Sequence, residues 1–335
     1  MTGSSASHQH PKWRSTLFAV VWYGLAAGCL VWVFTGIHWR KLGSEVSHAD
    51  LLWLIAAALL GTFAYVVQAW RWNLLLHPVS APKLGPTLQA VFVGALANDA
   101  LPLRPGELIS CYLEARWNEI ALSVVLSSLA LMRLLDGFSL VVCFFLVSAF
   151  LTLPGYLILG VRILATLLVI AAGLLMFLLW KRPARAIRLL RSVGPLRRAS
   201  EGVRQMANVR TQALSIIASL VHLASEGLPY WALGKSLHLA LSIWPITAVF
   251  IIAKTATSIP SAPGNAGLLQ AACVLGLGLF GVDKTRATGF SLVLFFVLVL
   301  PQVIAGASVM GYSGLRFRDL RRRTFEATEG DSPAR

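Results

Sequence analysis

The residues best placed to do chemistry sit together in Asn98–Glu107, which reads N-D-A-L-P-L-R-P-G-E. Asp99, Arg104 and Glu107 are ionisable, Asn98 is a hydrogen-bonding amide, and Pro102, Pro105 and Gly106 break helices. The sequence on either side is apolar enough to lie in a bilayer. Helix-breaking polar backbone at membrane depth is tolerated only where it is buried in protein or lines a wet cavity. Each ionisable group there costs roughly 2.5–3.5 kcal/mol on insertion scales, so its retention points to function. The chemistry these types offer is recognition: a guanidinium grips a phosphate bidentately, and a carboxylate balances the charge when the site is empty. A second P-x-x-P-G follows 158 residues later, as Pro260-Ser261-Ala262-Pro263-Gly264 before Asn265. The duplication predicts two re-entrant breaks lining one cavity. Helix termination by proline and by glycine with positive φ is the plainer alternative.

Five further residues belong to the candidate site. Arg133 and Asp136 lie three apart in an apolar run and so share a helix face. They are read either as a buried ion pair or as a phosphate-binding guanidinium with its orienting carboxylate. Glu226, four residues after His222, is a candidate proton-coupling carboxylate; the histidine alone reads as a packed, hydrogen-bonded core residue. Lys254, just before the second break, either offsets phosphate charge or snorkels to the interface. Arg71 lies between Trp70 and Trp72, which reads as an interfacial anchor closing a span.

The elements that must position these residues are membrane helices. The chain has 335 residues, of which 57% are hydrophobic and 13% charged, and its mean hydropathy is +0.72. So few charges cannot cover a soluble domain. Charge-free runs long enough for the hydrocarbon core recur at Ser15–Trp39, Leu51–Trp70, Gly137–Val161, Ile163–Trp180, Thr255–Val282 and Ala287–Leu315. A β-barrel would show short alternating segments instead, so the fold class is all-α and polytopic.

Charge placement then orders the spans. Of 29 Lys and Arg, nine fall in Lys181–Arg210 and five in Arg316–Arg323. Both clusters abut apolar runs, as cytoplasmic segments do under the positive-inside rule. Had 84–101 and 243–258 been ordinary spans, the first cluster would fall outside. Treating 84–118 and 243–280 as hairpins that enter and leave on one side puts both clusters and the N-terminus inside. The expectation is about six spans (17–36, 51–70, 121–150, 157–180, 212–234, 286–313) and two re-entrant hairpins in an inverted-topology repeat, with the substrate site at the repeat interface. The expected divisions are a cytoplasmic tail 1–16, a first repeat 17–152, a second repeat 153–313 with a basic loop 181–211, and a basic cytoplasmic tail 314–335. The net charge of +15 is accounted for by this placement and by anionic headgroups, so no nucleic-acid partner is expected. Four scattered cysteines without C-x-x-C spacing read as small buried hydrophobes, and no metal or cofactor is expected.

On Trp70-Arg71-Trp72, Asn98 with Leu101–Glu107, the Ser-rich Leu122–Ser128 ahead of Arg133 and Asp136, and Ile259–Gly267, the chain resembles the lysylphosphatidylglycerol synthase transmembrane-region family, also described as flippase-like membrane proteins. The resemblance covers about 15–315 and leaves no room for an attached catalytic domain. It departs from the family's pattern at Ser110 and Gln270, where charged residues are usual, and in a last span, Ala287–Leu315, without charge. It implies a stand-alone lipid flippase-like transporter or lipid-binding protein of a bacterial inner membrane. Its expected ligand is a phospholipid, hopanoid or polyprenyl-linked lipid with a phosphate-bearing or anionic headgroup, and enzymes of lipid biosynthesis are candidate partners. The alternatives are a membrane-embedded lipid-modifying transferase and a non-transporting accessory protein. With no D-x-D and only 14 acidic residues, the sequence favours a non-enzyme.

Overall fold

The computed structural model describes residues 12–101, 105–152, 154–180, 201–206, 208–258, 263–315 and 320. Among them there is no strand. In chain order the helices are α1 (Lys12–Phe34), α2 (Trp39–Ser47), α3 (Leu51–Ser80), α4 (Leu84–Ala100), α5 (Gly106–Trp117), α6 (Leu122–Ser148), α7 (Gly155–Trp180), α8 (Val209–Ser236), α9 (Ile243–Thr257), α10 (Leu268–Gly278) and α11 (Lys284–Tyr312). A short 3₁₀ turn, Pro263–Asn265, precedes α10.

Local chemistry sets several boundaries. Asp50 accepts from the Leu52 and Trp53 N–H groups and starts α3. Asn208 and Asp283 do the same for α8 and α11. Such side-chain caps satisfy backbone donors that the first helical turn leaves unpaired. Ala81 adopts a left-handed conformation (φ 39°) and ends α3.

Length separates two kinds of helix. At 1.5 Å per residue, α3, α6 and α11, with 30, 27 and 29 residues, run about 40–45 Å and exceed the roughly 30 Å hydrocarbon core. These three are long and apolar enough to cross a membrane. The protein buries only 22–28% of their most apolar windows. Leu59, Phe63, Phe145, Phe296 and Leu300 stay exposed, so the outer surface requires an apolar solvent. The arms α4, α5, α9 and α10, with 17, 12, 15 and 11 residues, are only about 16–26 Å long. Each pair packs arm against arm. The Gly106 Cα faces the α4 backbone so closely that a Cβ would lie 1.9 Å from the Gly94 carbonyl oxygen.

The two halves meet along α3 and α8, the most extensively packed pair. Asp50 N–H donates to Ser236 O at 2.9 Å, Gly61 faces Pro229, and Arg71 reaches Ser219. The numbers rise on one helix as they fall on the other, so α3 and α8 are antiparallel. The largest apolar core joins α6, α8, α9, α10 and α11, and smaller ones surround Trp72 and Ile109. Val203 and Met206 from the basic stretch join the Trp72 core, and Leu320 from the tail joins the Ile109 core. These three side chains are therefore packed rather than solvated. The cysteines are free, with Cys111 and Cys273 buried.

Two expectations change. Span two does not end at Trp70–Trp72, because α3 continues to Ser80. Trp72 is 2% exposed and donates its indole N–H to Ser128 Oγ at 2.9 Å; Arg71 is 1% exposed. Only Trp70 faces outward, so the W-R-W motif lies inside the fold instead of anchoring it at an interface. The connection between the expected spans 17–36 and 51–70 contains α2. This helix buries Leu42 against Gly289 and ties down α11 through Glu45–Arg286 at 3.1 Å and Lys41–Asp283 at 3.5 Å.

Candidate functional site

A cavity of about 280 Å³ opens between α3, α4, α5, α6, α8, α9 and α11. Ten of the sequence candidates line it: Arg71, Asn98, Asp99, Glu107, Arg133, Asp136, Glu226, Lys254, Gly264 and Asn265. Pro105, Gly106 and Pro263 shape the breaks without lining it. Pro102, Arg104 and Pro260 lie outside the described residues.

Arg71, Arg133 and Lys254 are each met by a carboxylate from another element. At the floor, buried Arg71 on α3 donates Nη1 to Asp136 Oδ1 on α6 and to Ser219 Oγ on α8 at 3.3 Å. Its Nε has no partner among the described residues. At the mouth, Arg133 grips Glu107 of α5 through two bonds, Nε–Oε2 at 3.2 Å and Nη2–Oε1 at 2.5 Å. Arg133 is the twelfth of 27 residues in α6, yet its side chain is 50% exposed. Between floor and mouth, Lys254 Nζ of α9 donates to both Glu226 oxygens of α8 at 2.5 and 2.6 Å. His222 Nδ1 lies 3.9 Å from Glu226 Oε2.

The expected Arg133–Asp136 pair is therefore a side contact, 3.4 Å from Nη1 to Oδ2. Helical spacing puts both residues on one face, but the partners brought in by α3 and α5 approach more closely. Lys254 points into the cavity, where it meets Glu226. His222 is buried as expected, although it also lines the cavity.

The breaks use their glycines differently. Gly264 has φ +63°, the left-handed region that favours glycine. Gly106 instead begins α5 with ordinary helical geometry and is there for the close approach to α4. Its N–H donates to Asn98 Oδ1 at 2.8 Å, which bridges the break. The second break sits against the first, since a Cβ on Gly264 would lie 3.6 Å from Asp99 Oδ1. It also abuts α1, where a Cβ on Gly267 would meet the Ala26 carbonyl oxygen.

The departures from the family pattern have structural roles. Ser110 Oγ donates to Gly106 O at 2.9 Å and lines the cavity. Gln270 accepts from Gly267 N–H at 2.7 Å and caps α10. On the uncharged last span, Gln302 donates to Asp99 and accepts from the Tyr65 hydroxyl. Tyr65, Gln68, Tyr230 and Gln302 line the cavity and were missed in the sequence. Gln302, beside Pro301 in an otherwise apolar run, was the one legible signal among them.

The cavity thus presents three basic side chains (Arg71, Arg133, Lys254), four carboxylates (Asp99, Glu107, Asp136, Glu226) and several neutral hydrogen-bonding groups. Among the described residues no three His, Cys, Asp or Glu side chains gather as a cation site. What the arrangement offers is a polar compartment inside an apolar body, with a partly exposed ion pair at its mouth. Compared with curated proteins, the chain matches none. A family model described as the lysylphosphatidylglycerol synthase TM region matches residues 17–306. The chain accordingly belongs to that family, whose membership makes it a membrane protein associated with lipid metabolism.

Proposed function

We propose that the protein binds a phosphate-bearing membrane lipid by its headgroup in this cavity and carries it between leaflets. The observation that carries the reading is Arg133. A guanidinium in the middle of a long apolar helix, half-exposed at the mouth of a polar cavity, is costly to keep. It is also shaped for a phosphate diester. Its present partner Glu107 is 37% exposed and occupies the two donors a phosphate would take. Arg71 is too deeply buried to meet a ligand first; it fixes Asp136 and the α3–α6–α8 junction.

The proposed topology has six spans and two re-entrant hairpins, related as an inverted repeat in a bacterial inner membrane with both termini cytoplasmic. The antiparallel α3 and α8 and the short hairpin arms support it, as do the basic clusters. Headgroup sites at such repeat interfaces, with half-helix ends pointing in, suit alternating access. The expected partners are membrane lipids and enzymes of lipid biosynthesis.

The test neutralises the mouth pair while keeping its volume, as Glu107→Gln with Arg133→Gln. In vesicles containing labelled phosphatidylglycerol, the parental protein should equalise label between leaflets. Loss of the charged contact should weaken lipid binding about 10- to 100-fold and slow translocation accordingly, with the thermal midpoint little changed. Translocation at the parental rate would make the pair structural. Chemical conversion of the lipid by purified protein would replace transport with a membrane-embedded transferase.

A further inference from the structure

Among the described residues, each hairpin has one charged side chain beside its break that forms an ion pair with a long helix. On the first hairpin it is Glu107, in the first turn of α5, held by Arg133 of α6. On the second it is Lys254, in the last turn of α9, held by Glu226 of α8. Neither side chain has another partner among the described residues. The signs are opposite: the first hairpin brings the carboxylate to its pair, and the second brings the cation.

The two pairs are neighbours in space. All four members line the same cavity. Their side chains are 50% and 37% exposed in the first pair and 27% and 24% in the second, against 1% for Arg71. An anion entering the cavity therefore meets Arg133 and Lys254, while Arg71 stays behind Asp136.

Resting on the phosphate-binding reading above, we propose that a lipid phosphate takes Arg133 from Glu107 and Lys254 from Glu226, so that both cations become its ligands and the two hairpins respond in opposite senses. A guanidinium that gives both its bonds to phosphate leaves Glu107 unpaired beside a negative charge. The first turn of α5 is then released. Lys254 is attracted by the same phosphate, and the end of α9 follows it. Glu226 keeps His222 as a neighbour, so the α8 side of that pair is not abandoned. A ligand shifts a conformational equilibrium only through contacts that differ between the two states, and these two exchanges supply the difference.

Hydrogen exchange in nanodiscs reads the two hairpins separately. The parental protein is compared in phosphatidylglycerol and in galactosyl diacylglycerol, which has no phosphate. Phosphate lipid should speed exchange at 106–110 by about fivefold, the worth of one partly exposed ion pair. It should slow exchange at 254–258. Arg133→Gln should abolish the first response. The swap Glu226→Lys with Lys254→Glu keeps a pair and its volume but gives the second hairpin a carboxylate. In that variant phosphate lipid should speed exchange at 254–258. Identical exchange in the two lipids, or a response at 254–258 whose sign survives the swap, overturns the proposal. If the hairpins respond as expected but labelled phospholipid does not cross, transport falls and the exchange of partners stands. If lipid crosses and neither hairpin responds, the reverse holds.

Discussion

Replacing Asp136 by Asn should damage the protein far more than replacing Glu107 by Gln, although each change removes one carboxylate from an arginine. Arg71 is 1% exposed and its Nε is already without a partner among the described residues. Without the Asp136 charge its guanidinium is buried beside only Ser219 and a neutral amide. Removing one partner of a buried pair costs roughly 3–5 kcal/mol. Glu107 and Arg133 are 37% and 50% exposed, where a pair contributes about 0.2–1 kcal/mol. At about 2 °C per kcal/mol, the lower end for large chains, the midpoint should fall by about 6–10 °C for Asp136→Asn. The fall should be no more than about 2 °C for Glu107→Gln. The assay is thermal unfolding in mild detergent, followed by reactivity of the buried cysteines Cys111 and Cys273. Arg71→Gln with Asp136→Asn removes both charges and should regain most of the loss, since replacing a whole buried pair is often near neutral. Equal midpoints for the two single variants, or no recovery in the double, would refute the division into a fixed floor and an exchangeable mouth.

The two glycines of the repeated motif should respond differently. Gly106→Ala places a Cβ 1.9 Å from the Gly94 carbonyl oxygen, so the arms must part and folded yield should collapse. Gly264→Ala meets nothing closer than 3.4 Å and should cost only the roughly 1–2 kcal/mol of a left-handed alanine, read as a modest drop in midpoint. For topology, single cysteines at Gly43, where a Cβ meets open space, and at Gly194 in the basic stretch should label from opposite sides. The Gly194 site should be protected from an impermeant reagent added outside intact cells; labelling there would rule out the six-span arrangement.

Much of the helix layout could be read from the chain because its signals are local. Arms expected within 84–118 and 243–280 occur as Leu84–Trp117 and Ile243–Gly278, since proline, glycine and polar caps act on their own turn of backbone. The site was legible as a set of residues and illegible as a set of pairs. Helical spacing offered Asp136 to Arg133, whereas Arg71 lies 65 residues from Asp136 and Arg133 lies 26 from Glu107. Only packed helices create such partners. Arg71 itself was misplaced because aromatic residues on either side of an arginine look alike at a membrane surface and in a core. What distinguishes them is Ser128, 56 residues away, accepting from Trp72. The short helix α2 was hidden for a similar reason, since its stability comes from Asp283, Arg286 and Gly289 on α11.

The burial of Arg71 also constrains how the protein is made. Its carboxylate partner is 65 residues downstream and its hydroxyl partner 148. At 5–20 residues per second, the ribosome delivers Asp136 about 3–13 s, and Ser219 about 7–30 s, after Arg71 itself. For those seconds α3 holds an unpaired guanidinium some nine residues from its C-terminal end, about 14 Å along the helix. A helix in that condition cannot settle in lipid. It must wait tilted toward the headgroups or sheltered by the insertion machinery until α6 arrives. Synthesis order thereby becomes assembly order: α3 joins α6 first, and α8 closes on a pair already formed.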